Sequence, residues 1–147
     1  MSEHRATVEW QRSGEFRYET YSRTHELRFD GIAVPGNAAA ANIPKTVPPR
    51  DGVDPEQAFV AALSSCHMLW FLHIAWQEKW VVDRYVDRAV GILDKTWMSR
   101  VTLRPEVTFS GRQPSPDELR ALHHTAHEKC YIANSVKTEV LVEPSIG

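Results

Sequence analysis

A chain of 147 residues carrying a net charge of −2, with acids and bases interspersed, is long enough to bury one core and reads as a single domain over residues 1–147. It has no basic patch or stripe, which argues against a general nucleic-acid binder. The amino terminus, MSEHRATVEWQR, is charged from the start and has no apolar h-region, so a cytoplasmic location is expected. In that reducing compartment two cysteines suit core thiols, metal ligands or redox groups better than a constant structural staple.

Residues Thr7 to about Gly31 read as a small antiparallel meander of three strands. Val8 and Trp10 alternate with Glu9 and Gln11, and Ser13-Gly14 offers a turn. Phe16, Tyr18 and Thr20 alternate with Arg17, Glu19 and Tyr21. A third run, Thr24 to Phe29, ends at the turn dipeptide Asp30-Gly31. From Ala33 to Val53 the chain is rich in Pro, Ala, Gly and Asn. Repeated prolines forbid a continuous helix or a central strand, so this is a long surface loop.

The stretch from Asp54 to Lys79, DPEQAFVAALSSCHMLWFLHIAWQEK, is the centre of the chain. Asp54 can cap a helix, Pro55 suits the first helical position, and Glu56 favours the positive end of the dipole. From Ala58 to Trp76 it is apolar nearly all round, which predicts a helix buried on most sides. Ser64, Ser65, His67 and His73 interrupt the run, so no membrane span is expected.

Val81 to about Thr96 has strand-like content. Val101 to Phe109 alternates more cleanly, with Pro105 on the polar side and Trp97 to Arg100 as a hairpin connection. Ser115-Pro116-Asp117-Glu118 is a capping box with proline at the first helical position. It opens a helix to about Ile132, with Leu119, Leu122, His123, Ala126, His127 and Cys130 on one stripe. Val136 to Val142 is a last strand. The order βββ–α–ββ–α–β makes an α+β domain of two small antiparallel sheets around two long central helices. One thin sheet and one amphipathic helix cannot cover so apolar a first helix, which implies a second subunit and an intertwined homodimer.

Cys66 lies in the middle of the first helix and Cys130 near the end of the second. Two reduced core thiols are one reading. An attacking and a resolving cysteine are the other, which requires the helices to pack side by side with Cα atoms about 4.4–6.8 Å apart. His123, His127 and Cys130 also share a helix face that zinc could use, with His67 or Cys66 as a fourth ligand; without an HExxH or CxxC companion no metal is assigned. His67 and His73 are expected as core or interface histidines with backbone partners. His73 stands about 10 Å along the axis from Cys66, too far to act as its base.

The segment VDPEQAFVAALSSCHMLWFL, followed by a second cysteine in CYIANSVKTEV, resembles the OsmC/Ohr family of thiol peroxidases. A proline-glutamate pair, an apolar helix, a small-small-Cys step ten residues after the Glu and a distal Cys about sixty residues on recur in that order. The YSRTHELRFDG and Cys-His-Met-Leu-Trp runs are more similar to the OsmC-like branch than to the organic-hydroperoxide-resistance branch. The resemblance spans about Thr7 to Pro144. It implies reduction of organic hydroperoxides and, less well, hydrogen peroxide, with Cys66 as nucleophile, Cys130 closing a disulfide, a dithiol reductant, and no metal, flavin or heme.

A free thiol titrates near 8.5 and apolar burial raises it, so a working Cys66 needs a cation or strong donor beside it. In the family an arginine supplies this, held by the glutamate corresponding to Glu56. On one straight helix Glu56 and Cys66 are about 15 Å apart, so the helix starts later or bends, or a group comes from a partner subunit. Arg23 in YSRTH is the first choice for the arginine, Arg50 the second, and Arg12 in Trp10-Gln11-Arg12 lacks the glycines some relatives show. The rival to an enzyme is a non-catalytic dimer that holds a small apolar ligand between its helices, lined by Trp70, Phe71, Trp76 and Trp80. A cysteine hydrolase would want a histidine within hydrogen-bond range of Cys66, and His67 points about 100° away on the helix.

Overall fold

The computed structural model describes Met1–Gly147. Two helices and three three-stranded sheets give an α+β fold. The chain divides into two compact units, Met1–Ala58 and Phe59–Gly147.

In the first unit β1 (Thr7–Glu9), β2 (His25–Phe29) and β3 (Ile32–Gly36) form an antiparallel sheet in that order, with Val8 opposite Leu27 and Leu27 opposite Val34. The meander is present, but one expected strand is lost and an unexpected one takes its place. Phe16–Thr20 is a turn: the Arg17 carbonyl accepts from the amides of Thr20 and Tyr21 at 3.0 and 2.9 Å. The alternating rings gather instead on Trp10, with Phe16 at 5.8 Å and Tyr21 at 6.2 Å between ring centroids. The third strand is Ile32–Gly36, which the prolines had assigned to the loop. Asp30, at φ 50°, turns the chain from β2 into it. Pro35 is tolerated because β3 is not central: beyond it only Val53 bridges, its amide donating to the Pro35 carbonyl at 2.9 Å. The remaining loop closes where Asn37 Nδ2 donates to the Arg50 carbonyl at 2.9 Å.

The central helix, α1 (Pro55–Gln77), starts as expected. Asp54 Oδ1 accepts from the Gln57 amide at 2.7 Å and Gln57 Oε1 accepts from the Asp54 amide at 3.1 Å, a reciprocal cap with Pro55 between them. It ends two residues early at a Schellman turn. Lys79, at φ 64°, donates to the Trp76 carbonyl, and Trp80 donates to Ala75 at 2.9 Å.

In the second unit β4 (Val81–Asp87), β7 (Pro105–Ser110) and β9 (Ser145–Ile146) form one sheet in the order β4-β7-β9. β5 (Val90–Asp94), β6 (Trp97–Leu103) and β8 (Glu139–Val142) form another in the order β5-β6-β8. The expected ββ segment is therefore ββββ. Both sheets are mixed rather than antiparallel, because β8 runs parallel to β6 and β9 parallel to β7. Trp97–Arg100 is strand, and the reversal falls one step earlier, where Lys95 takes φ 56°. Pro105 is buried, not on a polar side; as the first residue of β7 it has no ladder donor to lose. The break before it is held by Asp87, whose carboxylate accepts from the Arg104 amide at 2.6 Å and the Ser64 hydroxyl at 2.5 Å.

α2 (Pro116–Lys129) carries the predicted capping box between Ser115 and Glu118 but stops at Cys130 rather than Ile132. One face of α1 is buried: Leu63 packs with Val101 and Leu103 of β6, while Phe71, Ile74 and Ala75 pack with Val107 and Phe109 of β7 and Leu119, Leu122 and Ala126 of α2. α1 is long and apolar enough to cross a bilayer, yet this face makes it the core helix of the unit. The expectation of burial on most sides fails in the single chain: Leu69 and Trp76 are 62% and 71% exposed.

Candidate active site

The two cysteines meet. Cys66 is half-buried on α1, and Cys130, 1% exposed, is the residue on which α2 ends. Both are free thiols, and the Cys66 thiol lies close enough to Cys130 to act on its titration. Burial first, and the neighbouring Cys66 thiol next, push Cys130 up to about 11. The Ala133 amide donates to its sulfur at 3.4 Å, a smaller effect in the opposite direction. The pair is asymmetric: Cys130 is held neutral in the interior, while Cys66 opens outward.

Cys66 opens onto an apolar cleft of about 500 Å³ between α1 and the segment after α2. Ala62, Leu69, Trp70 and His73 form one wall and Tyr131 and Ile132 the other. Trp70 is braced edge-on by Tyr131 at 5.4 Å, and Lys129 Nζ lies 5.7 Å from the Trp70 ring centroid. Of the four aromatic residues expected to line a pocket, only Trp70 does so. Phe71 and Trp80 are core, and Trp76 is exposed.

Behind the thiols lies a feature that sequence reading missed. His67 Nε2 and His123 Nδ1 are 2.9 Å apart, with the two rings parallel to within 2°. Both are buried, at 1% and 2% exposure, and Phe71 stacks on His123 at 4.2 Å. Burial pushes His67 down to about 4, helped by His127, and pushes His123 down to about 3, helped by His67. His67 is thus a core histidine, but its partner is a side chain and not backbone. His73 is exposed, against the rings of Trp70 and Trp76. A zinc site is not formed: no three His, Cys, Asp or Glu side chains are gathered to hold a metal. The only hint in the sequence was that His67 and His123 each sit on a buried stripe; nothing there pairs them.

The other candidate residues belong to the first unit. Glu56 sits in the first turn of α1, where its Oε2 is buried without a hydrogen-bond partner. The Arg23 guanidinium lies over the Tyr21 ring at 3.6 Å and near that of Tyr18 at 5.0 Å, and donates to the Tyr21 carbonyl at 2.6 Å. Arg12 donates to the Gly14 carbonyl, and Arg50 enters through its carbonyl to Asn37.

This fold and site define an α+β dithiol protein, in which two helices bring one open and one buried cysteine together. The chain belongs to the OsmC-like protein family, whose model matches residues 48–145. An OsmC-like protein of unknown function from Vibrio cholerae is 47% identical over 98% of this chain and 99% of its own, with a TM-score of 0.91. An OsmC-like protein from Mycoplasma pneumoniae shares the fold at 12% identity and a TM-score of 0.76, covering 99% of this chain and 97% of its own. So does a protein from Legionella pneumophila described as an organic hydroperoxide resistance protein OsmC, at 16% identity and 0.68, over 100% and 98% of the two chains. No curated protein matches the chain.

Proposed function

We propose that this protein is a thiol peroxidase that reduces organic hydroperoxides, and hydrogen peroxide more weakly. The observation that carries the reading is the closeness of a half-buried Cys66, open to an apolar cleft, to a buried Cys130. The organic hydroperoxide resistance protein from Legionella that shares the fold supports it at the level of the family.

The Cys66 thiolate attacks the distal oxygen of ROOH. The O–O bond breaks, ROH leaves after taking up a proton, and Cys66 becomes a sulfenic acid. Cys130 then attacks the Cys66 sulfur. Its proton goes to the departing hydroxide as water, and a Cys66–Cys130 disulfide forms. An external dithiol supplies two electrons to reset the pair. The high Cys130 pKa suits it to the second role, since a neutral buried thiol does not compete for the peroxide.

Glu56 and Arg23 are assigned to raising the thiolate fraction of Cys66. That assignment rests on the family resemblance alone; within the first unit the Glu56 Oε2 is buried and unpartnered, and Tyr21 and Tyr18 hold the Arg23 guanidinium. A homodimer is part of the reading, because Leu69 and Trp76 leave an apolar face of α1 uncovered.

The test is peroxide consumption by reduced protein with excess dithiol, comparing cumene hydroperoxide with hydrogen peroxide, in wild type and Cys66→Ser. Turnover that disappears in Cys66→Ser supports the reading. A wild-type Cys66 that stays reduced under peroxide would transfer support to an apolar-ligand-binding dimer using the same cleft.

A further inference from the structure

Apolar attraction between two helix faces is non-directional; side-chain interdigitation allows discrete registers one step apart, and the attraction alone discriminates weakly among them. The seam between α1 and α2 is of this kind. Phe71, Ile74 and Ala75 face Leu119, Leu122 and Ala126, all apolar. Its one directional link is the His67–His123 hydrogen bond at 2.9 Å, buried on both sides.

That link sits beside the thiols. His67 follows Cys66 directly on α1. His123 precedes Cys130 by seven residues, about two turns or roughly 10 Å of α2. A slide of α2 by one turn would move Cys130 by about 5.4 Å. The window of Cα separations that admits a disulfide is only about 2.4 Å wide. A hydrogen bond between fixed rings is satisfied in one register only, so it selects among those that apolar packing allows. We propose that His67 and His123 are positioning residues, whose ring-to-ring hydrogen bond sets the register of α2 on α1 so that Cys130 meets Cys66. The same logic lets a single buried polar pair set register in helix bundles at some cost in stability.

The bond requires two neutral rings, one donating and one accepting. Burial keeps both uncharged at neutral pH. In either tautomer the outer nitrogens, His67 Nδ1 and His123 Nε2, have no partner, so the pair has no competing polar contact to choose.

The importance of the pair for turnover rests on the peroxidase reading; its control of disulfide formation does not. The test is therefore an equilibrium. Wild type and variants are held in reduced and oxidised glutathione, and the Cys66–Cys130 disulfide is quantified by thiol alkylation and mass spectrometry, with melting temperatures recorded alongside. His123→Phe keeps the stacked ring and removes the nitrogen that bonds to His67. His123→Asn places an amide where Nδ1 stands. His123→Gln sets that amide one bond too far out.

The expected result is a disulfide equilibrium constant at least tenfold lower in His123→Phe and His123→Gln, about 30 mV in potential, with His123→Asn within threefold of wild type. Equal losses in all three variants tracking melting temperature would reduce the pair to ordinary core and overturn the proposal. So would an unchanged constant in folded His123→Phe or His123→Gln, or a wild type that forms no Cys66–Cys130 disulfide. A normal equilibrium series in a protein that ignores hydroperoxide would sink the peroxidase reading alone.

Discussion

Acid should loosen this protein well above the pH at which carboxylates protonate, and the buried histidines set the amount. In the unfolded chain both titrate near 6.5; in the folded chain His67 lies at about 4 and His123 at about 3. Between these values the unfolded state binds more protons than the folded one, so stability falls as pH falls. The loss begins near 6.5 and is complete only below the folded values. From pH 7.5 to 5 each histidine removes about 2 kcal/mol, taking 1.36 kcal/mol per pH unit over the part of the window crossed. Because each ring would be charged beside the other, the pair together is expected to remove between about 2 and 4 kcal/mol, a large part of a typical domain's stability. Urea unfolding at half-unit steps from pH 7.5 to 5 measures this directly. The control is the double variant His67→Phe/His123→Phe, where replacing both partners by apolar rings should flatten the slope. A wild-type stability that is level across this range, or an equal slope in the double variant, would refute the argument.

Three other outcomes are expected. Phe71→Ala removes a fully buried ring that contacts Tyr85, Phe109 and His123, and should cost about 3–5 kcal/mol in chemical denaturation. Cys130→Ser should still react once with hydroperoxide but lose the resolving step, so that excess peroxide drives Cys66 to sulfinic acid, visible by intact mass; a Cys130→Ser protein that is fully reset through a disulfide would count against the assigned roles. Leu69→Glu should weaken the proposed dimer by at least a hundredfold, about 2.8 kcal/mol, in sedimentation equilibrium, while leaving the buried face of α1 intact.

Local chemistry decided what was legible early. The α1 and α2 starts were readable because a cap is a contact among four consecutive residues, and Asp54–Gln57 and Ser115–Glu118 make theirs as written. The two cysteines and the long apolar helix could be named as the centre, and their spacing pointed to the family that the comparison confirms. The end of α1 was nearly right, but its αL residue is Lys79 rather than a glycine, so no composition signal marked it.

What needed the tertiary structure was every choice made between segments far apart in the chain. Phe16 and Tyr18 alternate like strand residues, yet no neighbouring strand pairs with them, and Phe16 lies against the rings of Trp10 and Tyr21 instead. Pro35 and Pro105 read as strand breakers until neighbouring strands show that one stands at an edge and the other at a strand's first residue. The meeting of Cys66 with Cys130, and of His67 with His123, depends on the angle and register of two helices separated by four strands. Residue spacing carries no information about that register, because the apolar faces that drive the packing are non-directional. Sequence alone named the two cysteines; only the folded structure brought them close to each other.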